Sequence, residues 1–151
     1  MANTVYYKTH VEPYVRQELE RIHGRRFSSK VCRLTTGGTH EFDAVSNDGS
    51  IVASIKSLSG KTASGKNPSG KIYACYAELY FLTLVDAPQR MLVLTTPDFH
   101  EIFTRALRGR LHPGITVELI GVSPEIQAEI DRIKDLASEE VSPLQGTPSA
   151  L

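Results

Sequence analysis

A predicted β-hairpin carries an aspartate and a lysine, residue types that are rare in strands. The stretch from His40 to Lys56 predicts a β-hairpin, with strands at about 40–46 and 50–57 joined through an Asn-Asp-Gly turn. Asp43 lies on the first strand and Lys56 on the second, although Asp and Lys are depleted in strands. A carboxylate and an amine on neighbouring strands could hold a divalent cation and orient a water for phosphodiester cleavage.

The register of the hairpin decides whether these side chains meet. Side chains alternate across a strand, so Asp43 shares a face with Glu41, and Lys56 shares a face with Ser54. If the two faces coincide, Asp43, Ser54 and Lys56 converge, and Glu41 becomes a further candidate metal ligand. The hairpin alone leaves two alternatives open, a cross-strand Asp–Lys ion pair on a solvated face and an exposed Glu41 at the strand start.

The rest of the chain predicts the elements that must position this hairpin. Hydrophobic period and turn residues predict helices at about 10–23, 72–85, 97–109 and 124–137, and further strands at about 30–34, 91–95 and 115–122. An early antiparallel hairpin followed by strand–helix–strand units predicts an α/β fold, a mixed central β-sheet flanked by helices on both faces. We expect one domain over residues 1–141 and a disordered tail over 142–151, which is rich in Pro, Ser and Gly.

Composition narrows the class of protein. The chain has 151 residues, zero formal net charge and two cysteines, which lack metal-ligand spacing. No apolar run approaches a membrane span and no signal-peptide pattern is visible, so we expect a cytoplasmic protein with reduced thiols and no membrane partner. Residues 1–73 hold eleven Lys and Arg against six Asp and Glu, and 74–151 hold the reverse excess. A basic face would suit a polyanion, although solvated charge is an equal alternative.

The order of elements and the hairpin residues together resemble a known family. The α-β-β-β-α-β order over residues 10–95, with Asp43 in the second strand and Ser54-Ile55-Lys56 in the third, resembles the PD-(D/E)xK nuclease superfamily. The resemblance implies a restriction endonuclease-like αβββαβ core that cleaves DNA with Mg²⁺ or Mn²⁺, acts as a homodimer and needs no nucleotide cofactor. Asp43 matches the family's metal-binding Asp and Lys56 its Lys. Phe42 stands where the motif has Pro, and Ser54 stands where it has a second acid.

The resemblance requires a replacement for that missing acid. Glu78 is the only acid in the predicted helix 72–85, and its neighbours on the helical wheel are apolar, so its carboxylate should be paired or bound to metal. A surface residue on a partly exposed edge of the helix is the alternative for Glu78. Family members often bring a first-helix Glu to the metal, and Glu18 lies within the apolar stripe of the predicted first helix. A salt bridge from Glu18 to a nearby Arg is the alternative.

Four residues are predicted to contact nucleic acid. They are His40 and Ser54 beside the hairpin, and Lys61 and Lys66 in the irregular basic segment 58–71. A solvated loop histidine and a solvated linker are the alternatives for His40 and the two lysines.

Three other functions compete with the nuclease. The segment from Gly60 to Lys66 imitates a phosphate-binding P-loop, but Asn67 replaces the Ser or Thr that ligates Mg²⁺ and Pro68 follows, so we reject a nucleotide hydrolase. A catalytically inactive DNA-binding or assembly module of the same fold remains open because of Ser54. An RNA target also remains open, although no aromatic-rich RNA-reading strand is present in the sequence.

Overall fold

The helices and strands follow the predicted order. The computed structural model of the protein describes residues 2–60 and 68–146, with side chains described for 4–60 and 68–137. The helices are α1 (Ala2–Tyr6), α2 (Glu12–His23), α3 (Ser69–Leu84), α4 (Pro97–Ala106) and α5 (Pro124–Gly146), and a π-helical turn at Tyr7–Val11 joins α1 to α2. The strands are β1 (Phe27–Arg33), β2 (Thr39–Ser46), β3 (Ile51–Lys56), β4 (Gln89–Leu94) and β5 (Ile115–Leu119).

The five strands form one mixed sheet in the order β1-β2-β3-β4-β5. The first three strands are antiparallel neighbours, whereas β3, β4 and β5 run parallel. The parallel pairs are connected through α3 and α4, as crossovers between parallel strands require. The prediction of an α/β mixed sheet is therefore confirmed.

Helices cover both faces of the sheet. On one face, Val15 and Leu19 of α2 pack in a cluster with Ile55 of β3. On the other face, the core residues of α3 and α4, such as Leu82 and Phe103, form a second cluster with side chains of β2, β3 and β4. The site described below lies where the ends of β2 and β3 emerge between these two layers.

A bulge interrupts β2 next to Asp43. From the pair Ser28–Val45 to the pair Lys30–Phe42, β1 advances two residues while β2 advances three. Such a bulge bends the strand and re-aims a side chain. The side-chain alternation predicted from sequence therefore fails in this part of β2.

Both ends of the chain differ from the prediction. Helix begins at Ala2 and not near residue 10, and α5 continues to Gly146, past the predicted end near residue 137. The predicted disordered tail is thus helical over 142–146, and residues 147–151 lie outside the described part. Within the described residues, no helix is long and apolar enough to cross a membrane. Cys32 and Cys75 are free thiols.

Candidate active site

A pocket of about 340 Å³ opens at the end of β3. Five charged side chains from four parts of the fold contribute to its lining: Lys8 of the π-helical turn, Glu12 of α2, Asp43 and Lys56 of the hairpin, and Glu78 of α3. The predicted residues Asp43, Lys56 and Glu78 are therefore brought together by the fold.

Two hydrogen bonds hold Asp43, one to its carboxylate and one to its backbone carbonyl. Its Oδ2 atom accepts a hydrogen bond of 2.7 Å from the backbone N–H of Ile55, so the first hairpin strand is tied to the second through a side chain. The guanidinium of Arg16 donates to the Asp43 carbonyl oxygen at 2.9 Å. Burial raises the pKa of the Asp43 carboxyl and the Ile55 hydrogen bond partly offsets that shift, while the charge of Glu78 raises it further. A buried carboxylate of this kind favours a cation nearby.

The carboxylate of Glu78 contacts the side chains of Ser54 and Lys56. The Ser54 hydroxyl, which is fully buried, donates to Glu78 Oε2 at 2.9 Å. Lys56 Nζ lies 3.9 Å from Glu78 Oε1. The residue that stands where the family motif has an acid therefore forms a hydrogen bond to the acid from the next helix.

The side chain of His40 contacts the carboxylate of Glu78. It lies on β2, half-buried, with Nε2 3.3 Å from Glu78 Oε2. Its ring stacks on Phe81 at a centroid distance of 3.9 Å and meets Phe42 edge-on. The solvated loop histidine considered from sequence is wrong, because two aromatic rings and a carboxylate enclose this side chain.

Glu12 is the first-helix acid at the pocket. Burial is the main cause that raises its pKa to about 7, and the charge of Asp43 raises it in the same direction. Sequence reasoning proposed Glu18 for this place. Glu18 does not line the pocket, and its carboxylate pairs with Arg21 at 2.9 Å.

A helical wheel could not separate these two acids. Glu12 and Glu18 lie roughly 60° on either side of Val15, and both border the buried stripe. They differ by about 9 Å along the helix axis. Only the docking of α2 on the sheet decides which of them meets the end of β3.

The remaining predicted residues lie elsewhere. Glu41 is exposed and accepts a hydrogen bond from Ser29, so it does not line the pocket. Lys61 and Lys66 lie outside the described residues.

The chemistry of the pocket fits a hard divalent cation. Within the described residues, no group of three or more His, Cys, Asp and Glu side chains is spaced to hold a metal ion. Mg²⁺, however, commonly uses only one or two carboxylates, with water and substrate phosphate as its other ligands. Glu12 and Asp43 are carboxylates whose pKa values are both raised by burial and by a neighbouring negative charge, and a cation between them would relieve that repulsion.

Comparison with protein-family models, curated proteins and solved structures finds no match for this chain. The relation to PD-(D/E)xK nucleases therefore stays a prediction from the motif and the order of elements.

Proposed function

We propose that this chain is a Mg²⁺-dependent DNA endonuclease of the PD-(D/E)xK type. One observation carries the proposal: Asp43, Lys56 and Glu78, chosen for their residue types, line the same pocket at the end of β3. A cross-strand ion pair on a solvated face would not require Glu78, which belongs to a separate helix and is held there by Ser54 and His40.

In the proposed reaction the three carboxylates of the pocket hold the metal and Lys56 acts on the water and the phosphate. Asp43, Glu78 and Glu12 would hold Mg²⁺ or Mn²⁺, which supplies Lewis acidity at the phosphate and an acidified water. Lys56 orients the attacking water and offsets negative charge on the phosphate. Ser54 and His40 orient Glu78 through hydrogen bonds, as residues around a metal ligand commonly do.

Support for DNA as the substrate is electrostatic. The net charge of +5 on residues 1–73, eleven basic against six acidic residues, belongs to the part of the chain that supplies Glu12 and the hairpin. Basic residues near a cleavage site bind the phosphate backbone without reading sequence. A homodimer follows from the family resemblance, since cutting both strands calls for two sites.

The test is cleavage of three substrates by the purified chain: supercoiled plasmid, branched DNA and structured RNA. Each is incubated with Mg²⁺, with Mn²⁺ or with a chelator, beside Asp43→Asn. We expect metal-dependent nicking of DNA that Asp43→Asn abolishes. DNA binding without cleavage in any metal would contradict the proposal and favour an inactive DNA-binding module. Cleavage of RNA alone would contradict the choice of DNA.

A further inference from the structure

A second lysine, Lys8, lines the pocket on the side that the N-terminal helical segment forms. Thr4, Tyr7 and Lys8 line the same pocket as Asp43 and Lys56. Tyr7 and Lys8 belong to the π-helical turn that precedes α2. Turns of this kind are rare and recur at functional sites.

The π-helical turn is defined by its hydrogen bonding. The backbone N–H of Glu12 donates to the carbonyl oxygen of Tyr7, five residues earlier, and not to that of Lys8 as an α-helix would require. The turn therefore leads directly into the acid at the pocket. Lys8 and Glu12 are four residues apart, so they lie on the same side of the helical segment.

Lys8 has the capacity to bind a ligand. It is exposed, and within the described residues it forms no hydrogen bond or salt bridge. Its ammonium is near enough to Glu12 to lower the pKa of that carboxyl. Arg16, the other cation of this helix near the pocket, already donates to the Asp43 carbonyl and lies 3.9 Å from Glu12.

The pocket lining carries more carboxylates than lysines, so the charge of Lys8 matters for binding an anion. Three carboxylates, Glu12, Asp43 and Glu78, line a space that must admit an anionic strand. Lys56 lies 3.9 Å from Glu78, so its charge is already partly matched. Lys8 is the other cation of the described lining, and its charge remains to attract a phosphate.

We propose that Lys8 binds a second phosphate of the nucleic-acid strand, next to the phosphate that is cleaved. This inference rests on the proposed nuclease function and assigns Lys8 as a positioning residue. Half-buried Tyr7 forms the neighbouring surface, and burial raises the pKa of its phenol, so this surface adds no negative charge at neutral pH.

The test measures how binding depends on salt. Affinity of the full chain for a fluorescent DNA duplex is followed by anisotropy from about 50 to about 200 mM salt, the range in which phosphate contacts are lost. Ca²⁺ replaces Mg²⁺ because it accepts the same oxygen ligands. The variants are Lys8→Met, Lys8→Arg and Arg108→Ala. Arg108 is a matched control because it is exposed and follows α4, near the start of β5 at the opposite end of the parallel strands.

Lys8→Met should weaken binding roughly three- to tenfold near 0.1 M salt and reduce the salt slope by about 0.9, the contribution of one phosphate. Lys8→Arg should restore the slope. In cleavage assays with Mg²⁺, Lys8→Met should raise KM and leave kcat within about twofold, because the lost interaction is made equally in ground and transition states.

Several results would overturn the assignment of Lys8. One is a salt slope for Lys8→Met equal to that of Arg108→Ala while the wild type still cleaves DNA. Another is a fall in kcat with an unchanged slope, which would mean that Lys8 acts through Glu12. A wild type that binds and cleaves no DNA would overturn both this inference and the proposed function.

Discussion

At the residue scale, a hydrogen bond links the Ser54 hydroxyl of β3 to the Glu78 carboxylate of α3. A fully buried hydroxyl without a partner would be costly, and Glu78 Oε2 accepts its hydrogen bond at 2.9 Å. The carboxylate beside Ser54 thus comes from α3 and not from β3, and Lys56, two residues after Ser54, lines the same pocket. A motif read along one strand cannot show this contact, because it depends on how a separate helix docks.

Glu12 and Glu18 of α2 give the sharpest residue-scale comparison. Glu12→Gln should lower metal-dependent cleavage at least about tenfold, because it removes a carboxylate of the pocket. Glu18→Gln should leave cleavage within about twofold, because Glu18 pairs with Arg21 at 2.9 Å and lies outside the pocket lining. Rates of plasmid nicking measure both variants side by side, and equal losses would contradict the placement of Glu12.

Glu12 also predicts a dependence of stability on pH. Its pKa rises from 4.5 to about 7, first because of burial and then because of the charge of Asp43, while the charges of Arg16 and Lys8 partly offset the rise. Between these values the folded state binds more protons than the unfolded state, so this group's contribution to stability falls as pH rises.

In chelator, Glu12→Gln should therefore unfold at a higher urea concentration than wild type at pH 8. The difference should reach at most about 3 kcal/mol in unfolding free energy and shrink towards pH 4.5, where Glu12 is protonated in the folded state and half protonated in the unfolded state. A difference that stayed constant between the two pH values would contradict the raised pKa.

At the element scale, the hairpin is the part of the fold that the sequence predicts best. The Asn-Asp-Gly turn fixes the hairpin locally, and Gly49 adopts the left-handed conformation with φ of +76°. Asp48 accepts hydrogen bonds from the Ser50 backbone N–H and from the Ser46 hydroxyl. These contacts all lie within a few residues of each other, so their signal is present in the sequence.

Gly49→Ala tests that turn. The left-handed conformation should destabilise the variant by about 1–2 kcal/mol, measured by urea unfolding. Gly38→Ala is a matched control, because Gly38 has no positive φ and an added Cβ there would meet nothing within 4 Å. Equal stability of the two variants would contradict the strained turn.

The bulge of β2 and the π-helical turn were not predictable in the same way. The bulge appears only in the pairing of β2 with β1, where Ser28–Val45 is followed by Lys30–Phe42. The π-helical turn lies at Tyr7–Val11, whereas the apolar spacing of the sequence predicts a helix only from about residue 10. Both irregularities adjoin the pocket, which Tyr7, Lys8 and Asp43 line.

At the scale of the whole molecule, metal binding should stabilise the fold. A ligand present at ten times its dissociation constant stabilises the native state by about 1.4 kcal/mol, which for a chain of this size is roughly 3–5 °C in Tm. We expect Mg²⁺ to produce such a shift in the wild type and a smaller one in Asp43→Asn. A shift of equal size in both proteins would mean that the cation binds elsewhere.

We propose above that the pocket at the end of β3 cleaves DNA through Lys56 and the carboxylates around it. The most direct test of this proposal is Mg²⁺-dependent nicking of supercoiled plasmid by the wild type, Lys56→Ala and the surface control Arg108→Ala. We expect nicking by the wild type and by Arg108→Ala, and a loss of at least about 100-fold in Lys56→Ala, the usual scale for a residue that assists proton transfer or charge stabilisation. Nicking that survives in Lys56→Ala at the wild-type rate would contradict it.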